Sequence, residues 1–303
     1  MNYAGFAGDI RRNGWQVYGA EVYENGALTW RFGDTEETRY PIYSATKTVT
    51  ALAVGLAAEE GKLRLSDCIL DHLPEEAARC MEDAQRAAYR HVTLRRLLTM
   101  SVAGYPFRPE GESWLRFSLG VPLPDAETPR FEYSNIPAYL AGVAAARAVG
   151  EDLYAYLDRR LFAPLGIIRP PCARCPEGYF YGATGLELTV NELSRLGRLI
   201  YQGGVWEGRR IVPEKWIREM SSVQQMNREG GYGYFLWIYR SGCSMNGKWG
   251  QKCYILPREG KLITFLSHLE EGSDAVRESM ERHLLAESAK NFENMAGETQ
   301  KMG

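Results

Sequence analysis

The stretch Tyr43-Ser44-Ala45-Thr46-Lys47-Thr48-Val49-Thr50-Ala51-Leu52-Ala53-Val54-Gly55-Leu56-Ala57-Ala58-Glu59-Glu60 decides how this chain is read. After Lys47 it carries no charge until Glu59, and Gly61 follows as a helix C-cap. A helix apolar on most of its faces is buried on most of them. Ser44 and Lys47 stand at its head, and a three-residue step turns about 300°, so the two side chains share a face. A serine hydroxyl becomes a useful nucleophile when a neighbouring base takes its proton. Lysine can be that base when burial lowers its pKa from about 10.4. Developing negative charge is favoured near the same helix N-terminus.

Upstream of this helix, residues 14–23 and 27–32 are rich in Val, Tyr and Trp and flank Asn25-Gly26, which predicts a tight hairpin. Downstream, residues 66–174 read as helices joined by Pro-rich loops, with helices expected over 91–100 and 136–149. Helices are expected again over 190–202 and 213–220. Strand-like alternation follows over 232–240, 252–257 and 261–268, then a helix over 275–286 and a polar tail. Strands at both ends with helices between them predict an α/β (α+β) fold. Its sheet region takes residues 1–66 and 190–303, and residues 67–189 form an inserted helical region.

Composition narrows the function. The chain has 303 residues, 45% hydrophobic and 24% charged, which excludes wholesale disorder. Lys and Arg number 36 against 38 Asp and Glu, so there is no basic excess for nucleic acid or an anionic membrane. No run reaches the roughly 20 apolar residues of a membrane span. Asp9, Arg11 and Arg12 interrupt the one candidate signal-peptide core, so a soluble cytoplasmic protein with reduced cysteines is expected. Cys172-Ala173-Arg174-Cys175 is the one C-x-x-C. A structural zinc site needs four ligands and no second pair is suitably spaced, so two free thiols in a Pro-rich loop are the expectation, with a metal or redox role as the rival. His72, His91, His268 and His283 are dispersed, and G-x-S-x-G, H-E-x-x-H, G-x-x-x-x-G-K-[ST] and G-x-G-x-x-G are absent.

Two more elements carry chemistry. Tyr133-Ser134-Asn135 precedes the helix expected from Ile136. A phenol there can pass protons to and from a leaving group, and the Asn amide can orient a carbonyl or Lys47. Tyr23-Glu24-Asn25 has the same spacing but falls on the hairpin turn. The second element is Gly247-Lys248-Trp249-Gly250-Gln251.

In this order the chain resembles the serine hydrolases related to class C β-lactamases and penicillin-binding proteins, with S-x-x-K, then Y-x-N, then a strand motif such as K-T-G or H-x-G. Residues 43–52, 60–67, 70–74, 91–99, 185–189, 196–199, 208–213 and 231–234 carry the likeness, which spans most of residues 40–267. The third motif departs from the pattern. Lys248-Trp249-Gly250 keeps the cation and glycine but replaces the hydroxyl residue, whereas Trp249-Gly250-Gln251 is similar to variants among esterases and amidases.

The resemblance implies a β-lactamase/transpeptidase-like fold, with an antiparallel sheet flanked by helices and the active site between the lobes. It implies Ser44, Lys47 and Tyr133 as catalytic residues, and Asn135, Lys248, Trp249, Gly250 and Gln251 as substrate-binding residues. Acyl transfer on a small ester, amide or peptide would need no metal or organic cofactor. A non-catalytic ligand-binding domain of the penicillin-recognition type is the alternative.

Overall fold

The computed structural model describes residues 1–285; the polar tail expected after Ala286 lies outside them. The chain opens with helix α1 (Tyr3–Arg12), which the sequence reading did not anticipate. Asn2 caps it by accepting from the Gly5 N–H at 2.8 Å. The expected hairpin follows as β1 (Val17–Glu24) and β2 (Ala27–Gly33). Its turn needs two left-handed residues, and Asn25 (φ 49°) and Gly26 (φ 85°) supply them.

A short 3₁₀ turn, Tyr43–Ala45, leads into α2 (Thr46–Glu59), buried from Thr46 to Ala57. Helix α3 (Ile136–Val149) is buried from Ile136 to Ala146 and packs along α2. Its small residues Ala138, Ala141, Gly142, Ala144 and Ala145 let the two helices approach closely, and Gly150 closes it in the left-handed conformation. The helix expected over residues 91–100 is only Leu94–Leu98.

The C-terminal part holds α4 (Val190–Tyr201), a small ribbon of Val205–Trp206 with Arg209–Arg210, the expected helix as Glu214–Met220, and then six strands of the main sheet: β3 (Gln225–Asn227), β4 (Gly230–Tyr232), β5 (Trp237–Tyr239), β6 (Gly242–Gly247), β7 (Gln251–Leu256) and β8 (Lys261–Ser267). They join the N-terminal hairpin in one sheet of order β2-β1-β8-β7-β6-β5-β4-β3. Adjacent strands pair antiparallel, as in β1 with β8 and β6 with β7. Every residue of β8 is buried, as a central strand with both faces covered must be.

One face carries the main core, to which α2, α3 and α4 contribute. Helices α1 and α5 (Ser273–Met280) cover the other through Phe6, Ile10, Val276 and Met280, packed with Val22, Tyr254, Ile263 and Phe265. The two chain ends are tied there: Asp9 accepts from Ser279 Oγ at 2.6 Å and pairs with His283 Nε2 at 2.9 Å.

Gly55 in α2 has a packing role, because a Cβ there would overlap the Trp216 indole. Gly55→Val should therefore destabilise the protein by about 1–3 kcal/mol, the usual cost of overpacking a core. Thermal unfolding of the variant beside wild type checks this, and an unchanged midpoint would refute it.

Candidate active site

Tyr43 sits in the left-handed region at φ 46°. That conformation is costly for a bulky residue and persists only when its surroundings enforce it. It turns the chain sharply from the short strand Tyr40–Pro41, which pairs with Glu187–Leu188, into the 3₁₀ turn carrying Ser44. Ser44 is partly exposed at the wall of a cleft of about 630 Å³.

Lys47 is 1% exposed. Its Nζ donates to Ser44 Oγ at 3.0 Å, Asn135 Oδ1 at 2.7 Å and the Ala183 carbonyl at 2.9 Å. All three donors of an ammonium are thus used, yet no carboxylate among the described residues pairs with it. Burial lowers its pKa from 10.5 to about 7. Near neutral pH a large fraction is therefore the free amine, with a lone pair available toward Ser44.

Asparagine is a favoured N-cap residue, but Asn135 at the head of α3 makes no side-chain cap. Its amide instead holds Lys47 through Oδ1 and donates through Nδ2 to the Tyr181 hydroxyl at 3.2 Å. Its backbone N–H donates to the Phe107 carbonyl at 2.7 Å, which ties the loop bearing Phe107 and Arg108 to the site.

The Tyr133 ring packs against Tyr232 and Trp237, and Lys47 Nζ lies 5.0 Å from its centroid. Burial raises the phenol to about 12, and the nearby Ser44 hydroxyl offsets part of that rise. The phenol keeps its proton across the ordinary pH range. Ser44, Lys47, Tyr133 and Asn135 are thus brought together from three separate elements.

The third motif divides. Residues 248–250 form the tight turn between β6 and β7, with Trp249 (φ 60°) and Gly250 (φ 85°) both left-handed. Lys248 lines the cleft, its Nζ 4.2 Å from the Trp249 ring centroid. The Trp249 indole lies behind the cleft wall, braced edge-on against Tyr43 at 5.2 Å and against His268 at 4.2 Å. Gly250 is buried, and a Cβ on it would come within 2.5 Å of Ser267 Oγ.

Gln251, expected to bind substrate, does not reach the cleft. Its Nε2 donates to the carbonyls of Lys248 and Ser267 at 3.1 and 2.5 Å, and its Oε1 accepts from the Ser267 N–H at 3.0 Å. Gly247, at the end of β6, lies so close to the Ile42 carbonyl that no side chain fits there. The strand backbone therefore runs directly beside the serine turn.

Several lining residues escaped the sequence reading: Phe107, Arg108, Glu110, Trp114, Tyr181 and Thr184. Tyr181 and the Ala183 carbonyl belong to Tyr181-Gly182-Ala183-Thr184-Gly185, whose paired glycines were the one available signal. Gly182 (φ 71°) lets this segment pass beside α2, where Thr50 Oγ1 donates to its carbonyl at 2.8 Å. Cys172 and Cys175 are free thiols, and among the described residues no group of three or more His, Cys, Asp or Glu is arranged to share a metal ion.

The family model described as Beta-lactamase matches residues 10–287. The chain belongs to the beta-lactamase family. This beta-lactamase-family chain is 23% identical over 286 residues to the 6-aminohexanoate-dimer hydrolase of Paenarthrobacter ureafaciens, covering 82% of this chain and 70% of that protein. Its fold is similar to that of a D-stereospecific amidohydrolase from Streptomyces sp., with TM-score 0.69, 18% identity and coverage of 94% and 99% of the two chains. A penicillin-binding protein homologue from Caulobacter crescentus gives TM-score 0.67, 16% identity and coverage of 90% and 94%. No helix among the described residues of this family member is long and apolar enough to cross a membrane.

The lysine's surroundings can be tested directly. Asn135→Asp puts a carboxylate where Lys47 now meets a neutral amide oxygen, favouring the ammonium. The Lys47 pKa should rise by about 1–3 units, read from an NMR pH titration of the lysine ε-carbon. An unmoved midpoint would show that Asn135 does not govern Lys47.

Proposed function

We propose that this chain is a serine hydrolase that works through an acyl-enzyme on a small ester or amide. The contact that carries the reading is Lys47 Nζ to Ser44 Oγ at 3.0 Å, from an amine that burial has brought to about 7. Neutral Lys47 takes the proton of Ser44 as its oxygen attacks the carbonyl carbon. Backbone N–H groups of the serine turn and of the strand end near Gly247 hold the developing oxyanion. The Tyr133 phenol gives its proton to the leaving group, and Asn135 holds the lysine and the cleft wall in register. Water then gives a proton to the Tyr133 phenolate as it attacks the acyl carbon, and Ser44 leaves with the proton that Lys47 returns, which restores all three groups.

The amide side of the reading is supported by relatives named as a 6-aminohexanoate-dimer hydrolase and an amidohydrolase. A fluorophosphonate probe tests it most directly. Wild type should be labelled at Ser44 and folded Ser44→Ala should not; no labelling of either would favour a non-catalytic ligand-binding domain. Lys47→Ala should slow acylation by roughly 10²-fold or more, as loss of a general base does.

The pH dependence has a definite sign. Lys47 works as the neutral amine, which exists above its pKa, so kcat/KM should climb with pH through an inflexion near 7. Tyr133 acts as the protonated phenol and titrates only at about 12, so no falling limb is expected through the alkaline assay range. A rate falling with pH between 6 and 9 would remove Lys47 as the base.

Substrate preference follows from the cleft. In a β-lactamase, a cation and a hydroxyl of the third motif together hold the substrate carboxylate. Lys248 lines this cleft, but Trp249 replaces the hydroxyl residue beside it. Losing one charge-assisted contact costs about 1.5–3 kcal/mol, or roughly 10- to 150-fold. Short-chain p-nitrophenyl esters should therefore be hydrolysed with a kcat/KM at least roughly tenfold above that for a chromogenic cephalosporin. The reverse order would overturn this preference.

A further inference from the structure

A second cleft of about 680 Å³ shares no lining residue with the one at Ser44. It lies between the β1–β2 hairpin, one face of α4 and the turn at residues 163–166. Asn191, Arg195 and Arg198 stand on that face of α4, one or two turns apart.

The charges at this cleft are not equivalent. Glu21, fully buried, accepts from Tyr23 Oη at 2.8 Å, Arg31 Nε at 3.2 Å and Asn191 Nδ2 at 3.1 Å, so its charge is already answered. Arg31 also pairs with Glu36. Arg195 meets no carboxylate among the described residues; it donates to Asn191 Oδ1 and to the carbonyls of Leu165 and Gly166. Arg198 differs from both. Its guanidinium lies 5.2 Å from the Tyr23 ring and 4.8 Å from the Trp206 ring, and its Nε is buried without a hydrogen-bond partner among the described residues.

Aromatic contacts strip water from the guanidinium and stiffen the side chain. An arginine held this way, with no carboxylate from the described residues, is a preorganised fork without its counter-ion. A carboxylate or phosphate group matches that fork through paired N–H···O bonds. Glu207, on the rim with no partner among the described residues, disfavours a bare polyanion. It suits a small anion that also carries a hydroxyl or amine.

We propose that this cleft is a second binding site, in which Arg198, supported by Arg195, takes the oxyanion group of a small metabolite. The site is independent of Ser44 chemistry.

Isothermal titration of the 303-residue chain with inorganic phosphate and with acetate, at ionic strength fixed by sodium chloride, tests it. Saturable binding of either anion is expected, and the stronger one identifies the ligand's group as phosphate or carboxylate. Arg198→Met keeps an apolar stem between the rings and should weaken that binding at least roughly tenfold. Should the variant unfold, wild type still answers: the bound anion should protect Arg198 from phenylglyoxal, read by peptide mass spectrometry. Absence of saturable binding by both anions, unchanged affinity in folded Arg198→Met, or absence of protection would each overturn the proposal. Fluorophosphonate labelling of Ser44 should be unaffected by Arg198→Met, which separates this site's failure from failure of the hydrolase reading.

Discussion

The rest of the site depends on one buried amine. An isolated ammonium placed in a protein interior is expensive, and such a group commonly lowers its cost by giving up the proton. Lys47 does part of each: three oxygens satisfy its donors, while the lack of a carboxylate partner among the described residues leaves the neutral form close in free energy. A buried Asp or Glu beside it would have secured the charge and raised the pKa again. The neutral amide of Asn135, the backbone of Ala183 and the hydroxyl of Ser44 are acceptors weak enough to keep that balance.

This requirement explains the surrounding architecture. Helix α2 has to be apolar around almost its whole circumference, because any surface reaching Lys47 would bring water and restore its ordinary pKa. Helix α3 supplies small residues so that it can lie close by, and it forgoes a side-chain cap so that Asn135 can face inward. The Gly182 segment then closes the remaining side. The aromatic group of Tyr133, Tyr232 and Trp237 excludes solvent beside the amine and keeps the phenol protonated.

Much of this was legible in the residues. The uncharged run after Lys47 announced a buried helix, Asn25-Gly26 announced the hairpin, and Ser44, Lys47, Tyr133 and Asn135 were readable from spacing and placement. Helix α1 was not, because Gly5 and Gly8 weaken its helical signal and its stability comes from covering the outer sheet face. Strand β6, Gly-Cys-Ser-Met-Asn-Gly, has little strand propensity of its own and is held by β5 and β7 on either side. The strand expected over residues 232–240 is broken by a turn with Phe235 at φ 53°, so β4 and β5 are separate. Ala183 contributes a carbonyl, which leaves no mark in a side-chain pattern. The third motif could not be put in register from spacing alone, because two successive left-handed residues send Trp249 against Tyr43 and Gln251 into the sheet.

The contact between Tyr43 and Trp249 joins two left-handed residues from distant parts of the sequence. Ser44, Lys47, Tyr133 and Asn135 all leave the ribosome well before Trp249 does. Long-range pairings of this kind are slow to form and give nothing until both ends are present. The serine turn thus lacks its brace until β6, β7 and β8 have joined the N-terminal hairpin. The brace is acquired late, after the strands that follow Trp249 have formed, and a nascent fragment holding the whole S-x-x-K and Y-x-N set lacks it.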